Sequence, residues 1–154
     1  MMPWLLIAAV VVIADQLTKL WMVKLLQGVP VIRLTSFLNL VLAYNKGAAF
    51  SFLASASGWQ RYFFTGVSII AIIFILYFMH KNAGQKLFCW AFALILGGAI
   101  GNLIDRVLYG QVTDFIDFYI GTWHWPAFNI ADSAITIGAV LFILDELRRV
   151  NRSK

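Results

Sequence analysis

The 154-residue chain has one cysteine, two histidines and seven acidic residues, and each scarcity removes a class of chemistry. With Cys89 alone there is no intrachain disulfide, no cysteine-rich zinc site and no Cys-x-x-Cys redox pair. His80 and His124 lie far apart and neither belongs to a His-Glu-x-x-His run, so a zinc-protease site is not expected. No Gly-x-Ser-x-Gly elbow is present to present a serine to a histidine base. Charge is thin as well: 12% of residues are charged and 62% are hydrophobic, against about 25% and about 45–50% in a soluble domain. This composition is that of an integral membrane protein, and the length allows about four spans of ~20 residues within one domain. The net charge of +5 comes from lysines and arginines that are dispersed or sit at the ends of apolar runs. That pattern is an orientation signal and not a nucleic-acid footprint.

Four apolar runs read as membrane-spanning helices, at about 3–23, 59–79, 87–104 and 128–147. The first lacks a basic n-region and is too long for a signal-peptide core, so it is read as retained. Within it Asp15 and Lys19 stand four residues apart, a helical spacing at which the charges neutralise one another and anchor the span. In the third run, Gly97-x-x-x-Gly101 lets a neighbouring helix approach closely. Gly97, Gly101 and Asp105 share one face there, beside Gly98, Asn102 and Arg106. The fourth opens with Asn129 and Asp132 at capping-box spacing. Between the first two runs, residues 29–34 and 38–44 read as a pair of strands outside the membrane core. A turn at Asn45-Lys46-Gly47 follows, then a small apolar stretch at 48–52 that is expected to fold onto the bilayer surface. The basic tail of Arg148, Arg149, Arg152 and Lys154 and the turn carrying Lys81 and Lys86 both read as cytoplasmic. Both termini are then inside, segments 25–58 and 107–127 are outside, and Trp21, Trp59, Trp123 and Trp125 lie near the outer boundary, where indoles prefer to sit.

This topology gathers Asn45, Asn102, Arg106, Asp114, Asn129 and Asp132 on one side, near the outer surface. Four of the seven acidic residues, Asp105, Asp114, Asp117 and Asp132, fall between Gly97 and Asp132, and carboxylates in so apolar a chain sit where they are used. Two carboxylates held close together share a proton. One can activate water while its protonated partner polarises a carbonyl, which cleaves a peptide bond without metal or cofactor. Spacing alone leaves Asp114 and Asp117 equal as members of such a pair. The rival reading is a small proton-coupled membrane transporter with a titratable path through Asp15, Asp105 and Asp132. Transporters often carry internal repeats, and none is visible.

Five blocks together resemble one family: Asp15-Gln16-x-Thr18-Lys19, Asn45-x-Gly47-x-Ala49-Phe50, Gly97-Gly98-x-x-Gly101-Asn102-x-x-Asp105-Arg106, Val112-x-Asp114-Phe115 and Phe128-Asn129-x-Ala131-Asp132-Ser133. In order and over nearly the whole chain they are similar to bacterial lipoprotein signal peptidase, signal peptidase II, an intramembrane aspartic peptidase family. The one small departure is Thr113, where valine is usual. The resemblance implies four transmembrane helices with a small extracytoplasmic β-sheet, in the bacterial inner membrane. It implies removal of signal peptides from diacylglyceryl-modified prolipoproteins, just before the lipidated cysteine, with no cofactor. It makes Asp114 and Asp132 the catalytic pair, places Asn45, Asn102, Arg106 and Asn129 around the substrate, and gives Asp15 a supporting role beside Lys19, Gly97 and Gly101. The expected partners are lipidated prolipoproteins and membrane lipid, with the protein acting as a monomer.

Overall fold

Small residues decide which helix is central. The computed structural model describes residues 1–47 and 58–152, and in it α3 (Lys86–Tyr109) packs against α1 (Met2–Leu25), α2 (Trp59–Lys81) and α4 (Ile130–Arg152). A Cβ at Gly97 would stand 2.6 Å from Val11 Cβ and 2.8 Å from the Ala8 carbonyl, so α1 lies directly on this glycine. A Cβ at Gly98 would run into the Ala131 carbonyl, so α4 lies on the next one. Farther along, Gly138 of α4 sits over Ala91, and Phe142 meets Phe88 and Phe92 edge-on. The expected small-residue face is therefore two faces, one for each neighbouring helix. A cluster of Ala8, Ile75, Met79, Ala93 and Leu96 closes the other end of the bundle. Outward the helices present Leu6, Val10, Ile13 and Leu17 on α1 and Ile70, Ile73 and Phe74 on α2, all more than half exposed, as lipid-facing surfaces are.

The helices run beyond the apolar runs that signal them. α3 continues through Asp105 and Arg106 to Tyr109, with the Asp105 carboxylate paired to Lys19, Gln16 and the Thr113 N–H inside the protein. It ends where Gly110 adopts φ +73° and its N–H returns to the Arg106 carbonyl at 3.1 Å, a C-terminal cap that glycine makes without strain. The chain passes almost at once into β3 (Val112–Ile120), which belongs to an antiparallel four-stranded sheet in the order β1 (Val31–Arg33), β2 (Leu38–Asn45), β3, β4 (Trp123–His124). The two strands expected from the sequence are β1 and β2. β3 and β4 were not anticipated, because Val112–Ile120 alternates poorly and carries two aspartates. The sheet rests on α1 through Met22, Leu26 and Phe115. Stretch 48–52, expected at the bilayer surface, lies outside the described residues.

Two irregularities bracket Asp114 on the sheet. The β2–β3 register shifts between Leu40 and Ala43, with Ala43 paired to Asp114. On the other edge the successive N–H groups of Phe115 and Ile116 both donate to the Phe128 carbonyl, at 3.0 and 2.9 Å. Bulges of this kind re-aim side chains, and here they tie β3 to Phe128, two residues before α4.

Candidate functional site

Lys19 lies at the centre of the polar network. Its ammonium donates to Asp15 Oδ2 at 2.8 Å, Asp105 Oδ2 at 3.2 Å and Asn102 Oδ1 at 3.1 Å, so all three N–H bonds are in use. The i,i+4 pair with Asp15 was legible in the sequence; the reach to α3 was not. A lysine can only donate, so the Asn102 carbonyl must face it and the Asn102 amide turns to Asp132 Oδ1 at 2.8 Å. Asn129 is oriented the same way. Its Oδ1 accepts the Asp132 backbone N–H at 2.9 Å, leaving Nδ2 for Asp114 Oδ1 at 2.8 Å, the Thr113 carbonyl at 3.2 Å and Asn102 Oδ1 at 3.2 Å. Asp132 Oδ2 accepts the Asn129 N–H at 3.3 Å, which completes the anticipated capping box. Asp114 and Asp132 are thus joined through two amides whose orientations leave no choice.

Asp15, fully buried, also accepts the Ala131 N–H at 2.9 Å and pins α1 to the first turn of α4. A Cβ at Gly101 would stand 2.6 Å from Asp15 Oδ2, so this glycine makes room for the carboxylate. Gln16, a member of the first motif block that had been given no role, bridges the helices: its amide reaches Asp105 Oδ1 at 2.9 Å and the Gly101 carbonyl at 3.1 Å. Asp105 in turn takes the Thr113 N–H at 2.9 Å and fixes the start of β3.

The two aspartates of β3 part company here. Asp114 is 3% exposed, and burial, reinforced by the charge of Asp132, pushes its carboxyl up to about 7 against the opposing hydrogen bonds of Asn129 and Asn45 and the charge of Lys19. Asp117 shares none of these partners. Asn39 donates to it at 2.9 Å, and His124 Nδ1 lies 2.8 Å from its Oδ1. Burial opposes its ionisation, but the hydrogen bonds from His124 and Asn39 and the charge of the ring outweigh it and hold this carboxyl below its ordinary range. Neither partner of Asp117 was anticipated, since both depend on the sheet register.

Asn45 closes an Asx turn by accepting the Gly47 N–H at 2.8 Å and hydrogen-bonds Asp114. Arg106 lies within electrostatic reach of Asp132, Asp105 and Asp114. Its Nη1 makes only a long contact to Ser68, 3.4 Å, and its Nε is buried without a partner among the described residues. An orphaned guanidinium nitrogen beside two aspartates is a donor held ready for something else.

Three helices, Met2–Leu25, Trp59–Lys81 and Lys86–Tyr109, are long and apolar enough to cross a membrane. With the centre just described they define a multi-pass membrane protein built around a buried, amide-bridged pair of aspartates. The chain belongs to the signal peptidase II family: the model of Signal peptidase (SPase) II matches residues 7–148. It is 69% identical over 152 residues to the lipoprotein signal peptidase of Janthinobacterium sp. (strain Marseille), covering 99% of this chain and 92% of the relative. It is 58% identical over 152 residues to that of Paraburkholderia phytofirmans, covering 99% and 88%. A solved structure described as a bacterial membrane enzyme superposes with a TM-score of 0.85 at 38% identity, covering 100% of this chain and 93% of that one.

Proposed function

We propose that this chain is the endopeptidase its family describes, cutting diacylglyceryl-modified prolipoproteins before the lipidated cysteine with Asp114 and Asp132 as the catalytic pair. The observation that carries the assignment is the bridging of two buried aspartates by Asn102 and Asn129, which hold one carboxyl to each amide. Asp114, with its carboxyl near 7, is available as an acid. Asp132 receives the Asn102 amide and the Asn129 N–H at a helix N-terminus, donors that suit a carboxylate. Asp132 takes a proton from water as the oxygen attacks the scissile carbonyl carbon, while Asp114 gives its proton to the carbonyl oxygen. In the collapse the C–N bond breaks, the amine leaves with the proton from Asp132, and Asp114 recovers its own from the diol. Arg106, Asn45, Asn102 and Asn129 surround the substrate, the two amides by holding the aspartates and Arg106 by its Nε, buried without a partner among the described residues. Asp15 and Asp105, ion-paired with Lys19, make a poor transport path.

α4 runs along α3 from Gly98 to Phe88, and α3 is itself long enough to cross, so α4 is taken as the fourth span. Both termini are then cytoplasmic, the aspartates lie near the outer face, and a monomer contains every part of the site.

The test is turnover of a purified lipidated prolipoprotein in detergent. Asp114→Asn and Asp132→Asn should each reduce the rate by about 100- to 10,000-fold, and the double variant should cost little more. Asp117→Asn should keep most activity, and an unlipidated precursor should be cut poorly. Retained activity in Asp132→Asn, with normal insertion, would sink the assignment.

A further inference from the structure

Gly47 belongs to the second motif block, yet it gives no side chain to the aspartate network. Two features of its backbone call for glycine. Its φ is +104°, in the left-handed region that residues with a Cβ adopt only at a cost, and a Cβ built on it would overlap the Phe64 ring. Phe64, half-buried in the second turn of α2, therefore rests its ring directly on the Gly47 backbone. Phe63 meets that ring edge-on, 5.3 Å away between centroids. The Gly47 N–H closes the Asx turn on Asn45 Oδ1 at 2.8 Å, so the turn is pinned beneath an aromatic side chain.

The turn decides where the Asn45 amide points. Its Oδ1 is taken by Gly47, which leaves Nδ2 as the donor to Asp114. In the β2–β3 ladder Ala43 faces Asp114 and Asn45 faces Val112. Asn45 thus stands diagonally across from Asp114 on one face of the sheet, at a Cα separation of about 7–8 Å that a short side chain bridges only when its direction is held. α2 meets the same region at two further points, where Arg61 donates to the Val107 carbonyl and Ser68 lies 3.4 Å from Arg106 Nη1. Positions 61, 64 and 68 share one helical face. None of the five motif blocks lies on α2, so no motif points to this helix. We propose that Phe64 is a positioning residue for Asp114, its ring fixing the Gly47 turn so that the Asn45 amide stays against that carboxyl. Its part in turnover rests on the peptidase reading of Asp114; its hold on the carboxyl does not.

The hydrogen bond from Asn45 favours the ionised carboxyl, so its loss should raise the pH at which Asp114 gives up its proton. The test follows that proton in the full chain in detergent through the infrared band of the protonated carboxyl, identified by its absence from Asp114→Asn. Phe64→Ala and Asn45→Ala should each move the titration up by about one pH unit, the worth of one hydrogen bond to a charged group, and the double variant should move it no further. Looser packing that merely admitted water would move it down, because burial is the main cause of its elevation. Phe64→Leu, which still covers Gly47, should titrate as the unsubstituted protein does. The charges that face Asp114, Lys19 of α1, Arg106 of α3 and Asp132 of α4, stay in place in all of these. Should Phe64→Ala fail to insert, Gly47→Ala disturbs the same contact from the side of the turn and should move the titration the same way. An unmoved or lowered titration, or shifts that add in the double variant, would overturn the proposal. Cleavage of lipidated precursor, measured alongside, should carry its alkaline limb upward with the titration. A protein that titrates as expected but cuts nothing would refute the peptidase reading and leave the positioning of Asp114 standing.

Discussion

Asp114 keeps its proton from roughly pH 4 to about 7, where an ordinary aspartate is already bare, and its burial makes that state matter for stability as well as chemistry. Its folded value of about 7 stands above the unfolded one, so between roughly pH 4 and 7 the folded chain binds a proton the unfolded chain has lost. The contribution of this carboxyl is greatest at acid pH and is lost as pH rises through about 7. Asp114→Asn keeps an acceptor for the Asn129 amide and removes the charge. Its Tm in detergent should exceed that of the unsubstituted protein at pH 8.5 by several degrees, and the gap should close toward pH 5. The rate of cleavage should fall over the same alkaline range if Asp114 is the proposed proton donor. A Tm gap independent of pH would mean that Asp114 is not the buried acid. At this scale the sequence is legible only for near neighbours. The Asp15–Lys19 pair and the Asn129–Asp132 box follow from three- and four-residue spacings. The links of Lys19 to Asn102 and Asp105, and of Asp117 to Asn39 and His124, join residues far apart along the chain, and no spacing announces them.

Helices were recognised from their apolar length, yet the glycines of α3 do different work from one residue to the next. Gly97 and Gly101 receive α1, and Gly98 receives α4 through the Ala131 carbonyl, which cannot move without disturbing the capping box one residue on. Gly98→Ala should therefore lower Tm sharply and cut activity even where the protein is inserted. Gly66 in α2 has nothing within 4 Å of an added Cβ, so Gly66→Ala should be neutral or raise stability by about 0.5–1 kcal/mol. Thermal unfolding in detergent separates the two, and equal effects would contradict the packing. The strands illustrate the opposite limit. β1 and β2 were visible because their hydrophobic residues gather between turn formers, whereas β3 carries Asp114 and Asp117 where a strand pattern asks for apolar residues. The positions that hide the strand from the sequence are those for which the strand exists.

The whole molecule concentrates its chemistry at one end, where α1 and α3 finish and α2 and α4 begin. Trp21, Trp59, Trp123 and Trp125 stand exposed around that end, and Trp4 and Trp90 meet edge-on at the other, 6.1 Å apart. From Trp4 to Trp21 α1 rises about 26 Å, close to the ~30 Å of a hydrocarbon core. A cysteine at Ser36, in a Cys89→Ala background, should react with an impermeant thiol reagent on intact cells, and one at Gly84 should not. Labelling at Gly84 alone would invert the orientation. The way α1 meets α4 has a consequence in time. A chain inserted from its N-terminus carries Asp15 and Lys19 into the bilayer first, each satisfied by the other, while Asn129, Ala131 and Asp132 arrive with the last helix. With Asp114 and Asp132 as the proposed pair, the nascent protein should be inert through most of its synthesis, and a copy cut short before Phe128 should cleave no precursor. Only when the final helix slides against α3 does Asp15 find the Ala131 amide, and completion of the chain is itself the event that arms it.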